Sequence, residues 1–408
     1  MVVCRICKSE NLKSYLDLGH TPPADDFLLP IRLSEPEVHY PLNVLICDDC
    51  KLHQLSFVVS PEILYQNDYP YESSTTKTGQ DHFYAFADKV CRRFNITSGD
   101  FVIDIGSNVG VLLAGFKANG ANVLGIDPAE EICRIAIDND IETVNDFFNL
   151  QLARDIVIQK CKAKIITGTN VVAHIDDHHS LVKALDILLK DDGVFIFEAP
   201  YLVDLLENLE YDTIYHEHLS YLSVHPIMQL FSQYGMEVFD LEKVEIHGGS
   251  LRYYISRIGK YHVSPSIEEY VQSEFEKGIY DIDFLHGFAE SVRNHRLSIN
   301  EMLWQLKSKG KSIAAVSTPA KGMTLLNYCK IGPAILDFAT EKALTKVGRY
   351  TPGTHINVLP DEELIKRMPD YALLLAWNFA EEIMKNLREY RERGGKFIIP
   401  IPEPRIVK

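Results

Sequence analysis

Four short apolar runs, Phe101-Val-Ile-Asp104, Val123-Leu-Gly-Ile-Asp127, Lys164-Ile-Ile-Thr167 and Gly193-Val-Phe-Ile-Phe197, alternate with stretches of helical length. That alternation constrains the chain to an α/β fold with a largely parallel sheet, because parallel neighbours need long crossover connections. Glu237-Val-Phe-Asp240 and Ser250-Leu-Arg-Tyr-Tyr-Ile-Ser256 supply two further strands, connected through Gly248-Gly249, that can close the sheet as an antiparallel pair. Residues 266–308 are charged, amphipathic and almost free of Gly and Pro, which predicts a long helical connector. A smaller α/β unit follows, with strands at Ser312–Val316, Tyr371–Ala376 and Lys396–Pro400 and an amphipathic helix over Asn378–Arg393. The total of 408 residues exceeds what one core usually supports and suggests two or three domains.

The first strand runs into Asp104-Ile-Gly106-Ser-Asn108-Val-Gly110, and apolar residues that open a helix come next. Gly106 permits a tight turn with close backbone approach, and Gly110 lets the helix start pack against strand and ligand. Asp127 ends the next strand roughly 20 residues on, where a carboxylate can accept the hydroxyls of an adenosine ribose. Such a set predicts a small nucleotide cofactor and is shared by dinucleotide dehydrogenases. A plain packing turn at Gly106 and a helix cap at Asp127 are the structural alternatives.

Cys4-x-x-Cys7 and Cys47-x-x-Cys50 form two tight pairs, whereas Cys91, Cys133, Cys161 and Cys329 are isolated. Each pair can offer two thiolates to a tetrahedral zinc, provided residues 8–46 fold back, as short strands about Pro22-Pro23 would allow. Four sulfurs leave no open position, so the metal is structural and His20 and His53 are bystanders. A disulfide pair and a redox Cys-x-x-Cys are the competing readings.

A formal charge of −16 argues against a phosphate-backbone binder, and no apolar run reaches the length of a membrane span. The start of the chain lacks the features of a secretory signal, which points to the cytoplasm. Within this frame, Tyr215-His216-Glu217-His218 places four adjacent protic side chains together, as acid/base chemistry would require. A solvated loop is the alternative reading. Metal binding by His216 and His218 is poorer, since no third ligand has recognisable spacing.

In order along the chain stand the two cysteine pairs, Asp104-Ile-Gly-Ser-Asn-Val-Gly110, Asn170-Val-Val-Ala-His174-Ile-Asp176, Glu198-Ala-Pro-Tyr201, Tyr215-His-Glu-His218, His247-Gly-Gly-Ser-Leu-Arg252, Pro319-Ala-Lys321-Gly322 and Tyr350-Thr-Pro-Gly-Thr-His355. Over nearly its whole length the chain thus resembles the S-adenosylmethionine-dependent C-methyltransferases that act on nucleotide-linked 4-keto-deoxysugars. The resemblance implies a zinc-binding module over 1–70, a class I, Rossmann-like methyltransferase domain over 71–260, and a helical connector with a C-terminal Rossmann-like nucleotide-sugar domain over 261–408. It implies S-adenosylmethionine and structural zinc as cofactors, a nucleotide-linked 4-keto-6-deoxysugar as partner, and neither nucleic acid nor membrane.

By the same resemblance His218 is the base that removes the proton beside the ketone, Glu217 orients or tunes it, and Tyr215 serves the developing oxyanion; His216 is the one of the four expected to face solvent. Asp104, Gly106, Asn108, Gly110, Asp127, Asn170 and His174 are expected around the cofactor, with Asp176 on the same rim. Tyr71, with its neighbour Tyr69, belongs to a segment expected to close over the site, and His247 and Lys321 are candidates for substrate and diphosphate contacts. Ser317-Thr318-Pro319 stands where many relatives have a Gly-rich turn. Transfer to oxygen or nitrogen, and a nonenzymatic zinc-containing binding protein, are the alternative functions.

Overall fold

The computed structural model describes residues 2–65, 77–244 and 248–408, and three sheets organise them. The first is antiparallel, with β1 (Leu12–Thr21), β2 (Tyr40–Cys47), β3 (His53–Leu55) and the two-residue β9 (Ser220–Tyr221) in that order. Leu12 pairs with Cys47, so the fold-back of residues 8–46 brings the Cys4–Cys7 turn beside the second cysteine pair. A short helix α1 (Pro61–Tyr65) follows β3.

The central sheet has seven strands: β4 (Phe101–Ile105), β5 (Asn122–Asp127), β6 (Thr143–Asn145), β7 (Ala163–Thr169), β8 (Leu189–Pro200), β10 (Met236–Val244) and β11 (Ser250–Arg257). Their order is β10-β11-β8-β7-β4-β5-β6, parallel from β8 to β6, with β11 and β10 antiparallel at one edge as expected. β4 is buried along its whole length, consistent with a strand covered on both faces. Helices α2 (Lys77–Phe94), α3 (Val111–Ala118), α4 (Glu130–Asp138), α5 (Leu150–Gln159), α6 (His178–Leu188), α7 (Leu202–Glu207) and α8 (Val224–Ser232) accompany it. The chain leaves β4 towards β5 on one side and returns to β7 on the other. The strand order therefore reverses beside β4, which is where doubly wound sheets bind ligands at the carboxyl ends of their strands.

The connector is two helices, α9 (Ser266–Glu276) and α10 (Ile282–Ser308), rather than one; the chain breaks at Gly278, whose φ of 70° is left-handed. β12 (Ile313–Val316), β13 (Ala339–Glu341), β14 (Val358–Pro360), β15 (Tyr371–Leu374), β16 (Lys396–Ile399) and β17 (Arg405–Val407) form the third sheet, in the order β14-β13-β12-β15-β16-β17 with only β17 antiparallel. Helix α11 (Ala320–Cys329) follows β12. The helix expected over Asn378–Arg393 is instead a 3-10 turn at Trp377–Phe379 and two short helices, Ala380–Asn386 and Arg388–Glu392, separated at Leu387.

The N-terminal sheet is tied to the third sheet's unit. Leu28 and Tyr350 exchange both backbone hydrogen bonds at 2.9 Å. Glu37 accepts from the Gly353 amide at 2.9 Å and pairs with His355, which accounts for part of the Tyr350–His355 motif. Among the described residues no helix is long and apolar enough to cross a membrane.

Candidate functional site

A cavity of about 790 Å³ opens at the carboxyl ends of β4, β5 and β7 and is lined by residues of all three units. Asp104, Gly106, Asn108, Asp127, Asn170, His174, Asp176, Tyr215, Glu217, His218 and Lys321 all border it. These side chains, distant in sequence, meet in one place.

The glycine turn forms the floor. Gly106 (φ 65°), Asn108 (φ 48°) and Gly110 (φ 81°) are all left-handed, and a Cβ on Gly106 would lie 2.3 Å from Val171 Cγ2. No larger residue fits there without displacing the β7 loop. Gly110 itself does not border the cavity; a Cβ there would meet Ile141 at 3.0 Å, so its role is to let the start of α3 pack. Asp127 accepts the Asn108 amide at 2.9 Å through one oxygen and the Ala129 amide at 3.0 Å through the other. Each oxygen retains a lone pair that can face the cavity. Asp104 accepts from Thr167 Oγ1 at 2.7 Å, and burial, assisted by nearby Asp127, pushes its carboxyl up to about 7.

The opposite wall follows β7. Asn170 is left-handed (φ 58°), and its amide donates to the Glu198 carbonyl at 2.7 Å. Its Oδ1, His174 Nε2 and Ser107 Oγ are buried with no hydrogen-bond partner among the described residues. Orphaned polar atoms lining a roomy cavity fit a polar ligand that completes them. His174 lies parallel to the Tyr65 ring, centroids 6.0 Å apart, and 5.1 Å from the His218 ring. Burial and His218 hold His174 well below the ordinary histidine range, so it is neutral.

Thr213, Tyr215 and His218 form a hydrogen-bonded chain. His218 Nδ1 donates to the Thr213 carbonyl at 2.8 Å, and in this tautomer Nε2 accepts from the Tyr215 hydroxyl at 2.9 Å. Glu217 is buried and close enough to Tyr65 to help raise its phenol. His216 does not face solvent: it is 2% exposed, its Nε2 donates to the Tyr40 carbonyl at 3.2 Å, and burial lowers it to about 4. It fastens the run to the N-terminal sheet, a contact across 176 residues of sequence.

The unit that follows α10 holds the same turn from the other side. Trp377 Nε1 donates to Asp212 at 2.7 Å, and Thr324 Oγ1 donates to the Ile214 carbonyl at 2.9 Å. Lys321 sits 4.1 Å over the Trp377 ring, bonded to Asn378, and burial lowers its ammonium. Ser317 adopts φ 65°, the conformation a glycine would supply, and Glu341 accepts from both the Thr318 amide and hydroxyl at 2.8 Å. Tyr69, Tyr71 and His247 lie outside the described residues. Arg252, from the motif that begins at His247, instead pairs with Glu198 at 2.8 Å and with Glu242 at 3.1 Å. Sequence reasoning missed Asp25, Tyr65, Phe148 and Asn378 as cavity residues, since none belongs to a recognisable local pattern.

The four cysteine sulfurs lie within 4.8 Å of one another, Cys4 to Cys50 at 3.3 Å and Cys7 to Cys47 at 3.5 Å, and none is in a disulfide. A zinc tetrahedron with bonds of about 2.3 Å requires sulfurs about 3.8 Å apart, so the set fits a Cys₄ site. Neither His20 nor His53 belongs to it. His53 Nδ1 instead bonds the Tyr15 hydroxyl at 3.0 Å.

Comparison with known proteins agrees with this architecture. Residues 4–65 match a family described as a zinc binding domain, 80–241 a methyltransferase domain, and 245–402 a C-methyltransferase C-terminal domain. The C-methyltransferase NovU of Streptomyces niveus is 34% identical over 405 residues, covering 99% of this chain and 96% of that protein. A ubiquinone biosynthesis O-methyltransferase of Actinobacillus pleuropneumoniae is 31% identical over 125 residues, 28% of this chain and 50% of that one. An S-adenosylmethionine-dependent methyltransferase structure from Clostridium acetobutylicum aligns with a TM-score of 0.36 at 17% identity, covering 46% of this chain and 94% of that one. On the full-length match, the chain belongs to the S-adenosylmethionine-dependent C-methyltransferase family with an N-terminal zinc-binding domain and a C-terminal C-methyltransferase domain.

Proposed function

We propose that the enzyme methylates C3 of a nucleotide-linked 4-keto-6-deoxysugar through an enolate, with His218 as the base. Carbon is a nucleophile only after a proton leaves, and a 4-keto group acidifies the neighbouring C3 hydrogen. The observation that carries the reading is the Thr213–His218–Tyr215 chain, which borders the same cavity as the glycine turn.

The Thr213 carbonyl fixes the proton on Nδ1, so the basic lone pair resides on Nε2. When a ketone enters, the Tyr215 hydroxyl turns from Nε2 to the ketone oxygen, where it stabilises the developing oxyanion. Nε2 is thereby released to take the C3 proton, and Thr213 accepts from the resulting imidazolium. Glu217, buried and bordering the same cavity, orients or tunes the ring. His174, kept neutral, adds no competing charge.

S-adenosylmethionine, when bound, supplies an electrophilic sulfonium methyl. The turn at Gly106 and Asn108 would give it close backbone approach, and the Asp127 carboxylate would accept ribose hydroxyls. Asp104, Asn170 Oδ1 and His174 Nε2 face the remaining polar groups. Lys321 contacts the diphosphate of the sugar substrate, and Tyr71 and His247 complete the substrate contacts.

The test is incubation with S-adenosylmethionine and a panel of dTDP-, CDP- and GDP-linked 4-keto-6-deoxysugars, with the product's methyl located by carbon–proton NMR. A methyl bonded to C3 is expected. A methyl on oxygen or nitrogen, or no turnover of any panel member by protein that binds the cofactor, overturns the reading.

A further inference from the structure

Arg5 lies inside the Cys4-x-x-Cys7 turn, yet its side chain points away from the sulfurs and is buried. Its Nε donates to Asp176 Oδ1 at 2.8 Å and its Nη1 to the Leu55 carbonyl at 2.9 Å, while its backbone amide donates to Gln54 Oε1 at 2.9 Å. The adjacent Ile6 carbonyl accepts from His179 Nε2 at 2.7 Å. Two consecutive residues of the metal turn thus hold both ends of segment 176–179, just beyond Asn170 and His174. Leu55, the carbonyl bound by Arg5, also donates its amide to Leu219, the residue after His218, at 2.9 Å. One guanidinium therefore bonds directly to the segment that carries His174 and, through Leu55 of β3, indirectly to the segment that carries the facing His218 ring.

We propose that Arg5 is a positioning residue that transmits the geometry of the zinc turn to the His174–His218 pair. The four sulfurs define the turn, the turn aims the guanidinium, and its bonds to Asp176 and to Leu55, whose amide holds Leu219, set the spacing of the two histidine segments. A zinc held by Cys4, Cys7, Cys47 and Cys50 would act by holding this turn in shape. A bidentate planar fork suits the role better than an ammonium, which offers one point of attachment on a flexible stem. The proposal rests on His218 being the base, as argued above, but its first readout does not depend on substrate.

The experiment uses the full-length, zinc-loaded protein with histidine labelled at ring carbon, its His174 and His218 lines assigned from His174→Asn and His218→Asn. Arg5→Ala, Arg5→Lys and the partly exposed Asp176→Asn are compared, the last guarding against a folding failure at buried Arg5. Each variant is expected to keep a full zinc complement while both histidine lines shift, and the two Arg5 variants to keep unchanged S-adenosylmethionine affinity. With a 4-keto sugar that the wild type methylates, kcat should fall about tenfold in Arg5→Ala, as expected for a misplacement below 1 Å, and less in Arg5→Lys. Unmoved lines in Arg5→Ala and Asp176→Asn overturn the proposal, and so does a loss of cofactor affinity that matches the loss of kcat. If the wild type turns over no 4-keto sugar, the substrate reading fails, while the histidine lines still decide this proposal.

Discussion

The Tyr215 hydroxyl lies 2.9 Å from His218 Nε2, on the side of the imidazole opposite the nitrogen held by the Thr213 carbonyl. Under the proposed mechanism this pairing makes the phenol a cover for the base in the resting enzyme and a donor to the ketone during reaction. Tyr215→Phe should therefore leave cofactor affinity unchanged and lower kcat about 10²-fold, the scale for losing one oxyanion donor. Calorimetric titration with S-adenosylmethionine, beside steady-state kinetics, checks the split. An equal loss in both would place Tyr215 at the cofactor instead.

Asp104 supplies a pH signature. Burial raises its folded value to about 7, whereas an unfolded aspartate titrates near about 4. Between these values the folded chain binds the extra proton. Stability from this group is therefore fully present below about 4 and is lost as pH rises through about 7. Calorimetric melting should show Tm decreasing from pH 5 to pH 8 more steeply in the wild type than in Asp104→Asn. Parallel profiles would show that the carboxyl is already ionised throughout this range.

Arg252 pairs with Glu198 directly across β8 and β11 and stacks over Phe86 at 3.7 Å, while His82 holds the other Glu198 oxygen at 3.1 Å. Removing one buried partner strands the other charge. Arg252→Leu should cost about 3–5 kcal/mol in urea unfolding, and adding Glu198→Leu should recover much of it. A single-variant cost below about 1 kcal/mol, the scale of an exposed pair, would contradict a buried-network role.

The parts of this molecule legible in its sequence are those with local periodicity or fixed spacing. The cysteine pairs, the Gly106 turn and the apolar runs of β4, β5, β7 and β8 each declare themselves within a few residues. β6 spans only Thr143–Asn145, too short for a pattern, and Ser220–Tyr221 becomes a strand only by pairing with β3. His216 reads as a surface residue because nothing near it in sequence reveals Tyr40 as its partner. The pattern expected as one helix over Asn378–Arg393 starts as a 3-10 turn at Trp377, whose indole donates to Asp212, and is divided again at Leu387. Many of the residues that border the cavity stand in motifs readable from the sequence, whereas their hydrogen-bond order, including which nitrogen of His218 faces the Thr213 carbonyl, required the fold.

The central claim is that His218 removes the C3 proton. Its most direct measurement is proton NMR of a nucleotide-linked 4-keto-6-deoxysugar that the enzyme accepts, held in deuterated water with enzyme and S-adenosylhomocysteine so that no methyl transfer intervenes. The account predicts loss of the C3 proton signal with wild-type enzyme and at least about 10²-fold slower loss with His218→Ala, within the usual contribution of a general base. Exchange at the wild-type rate in His218→Ala would contradict it.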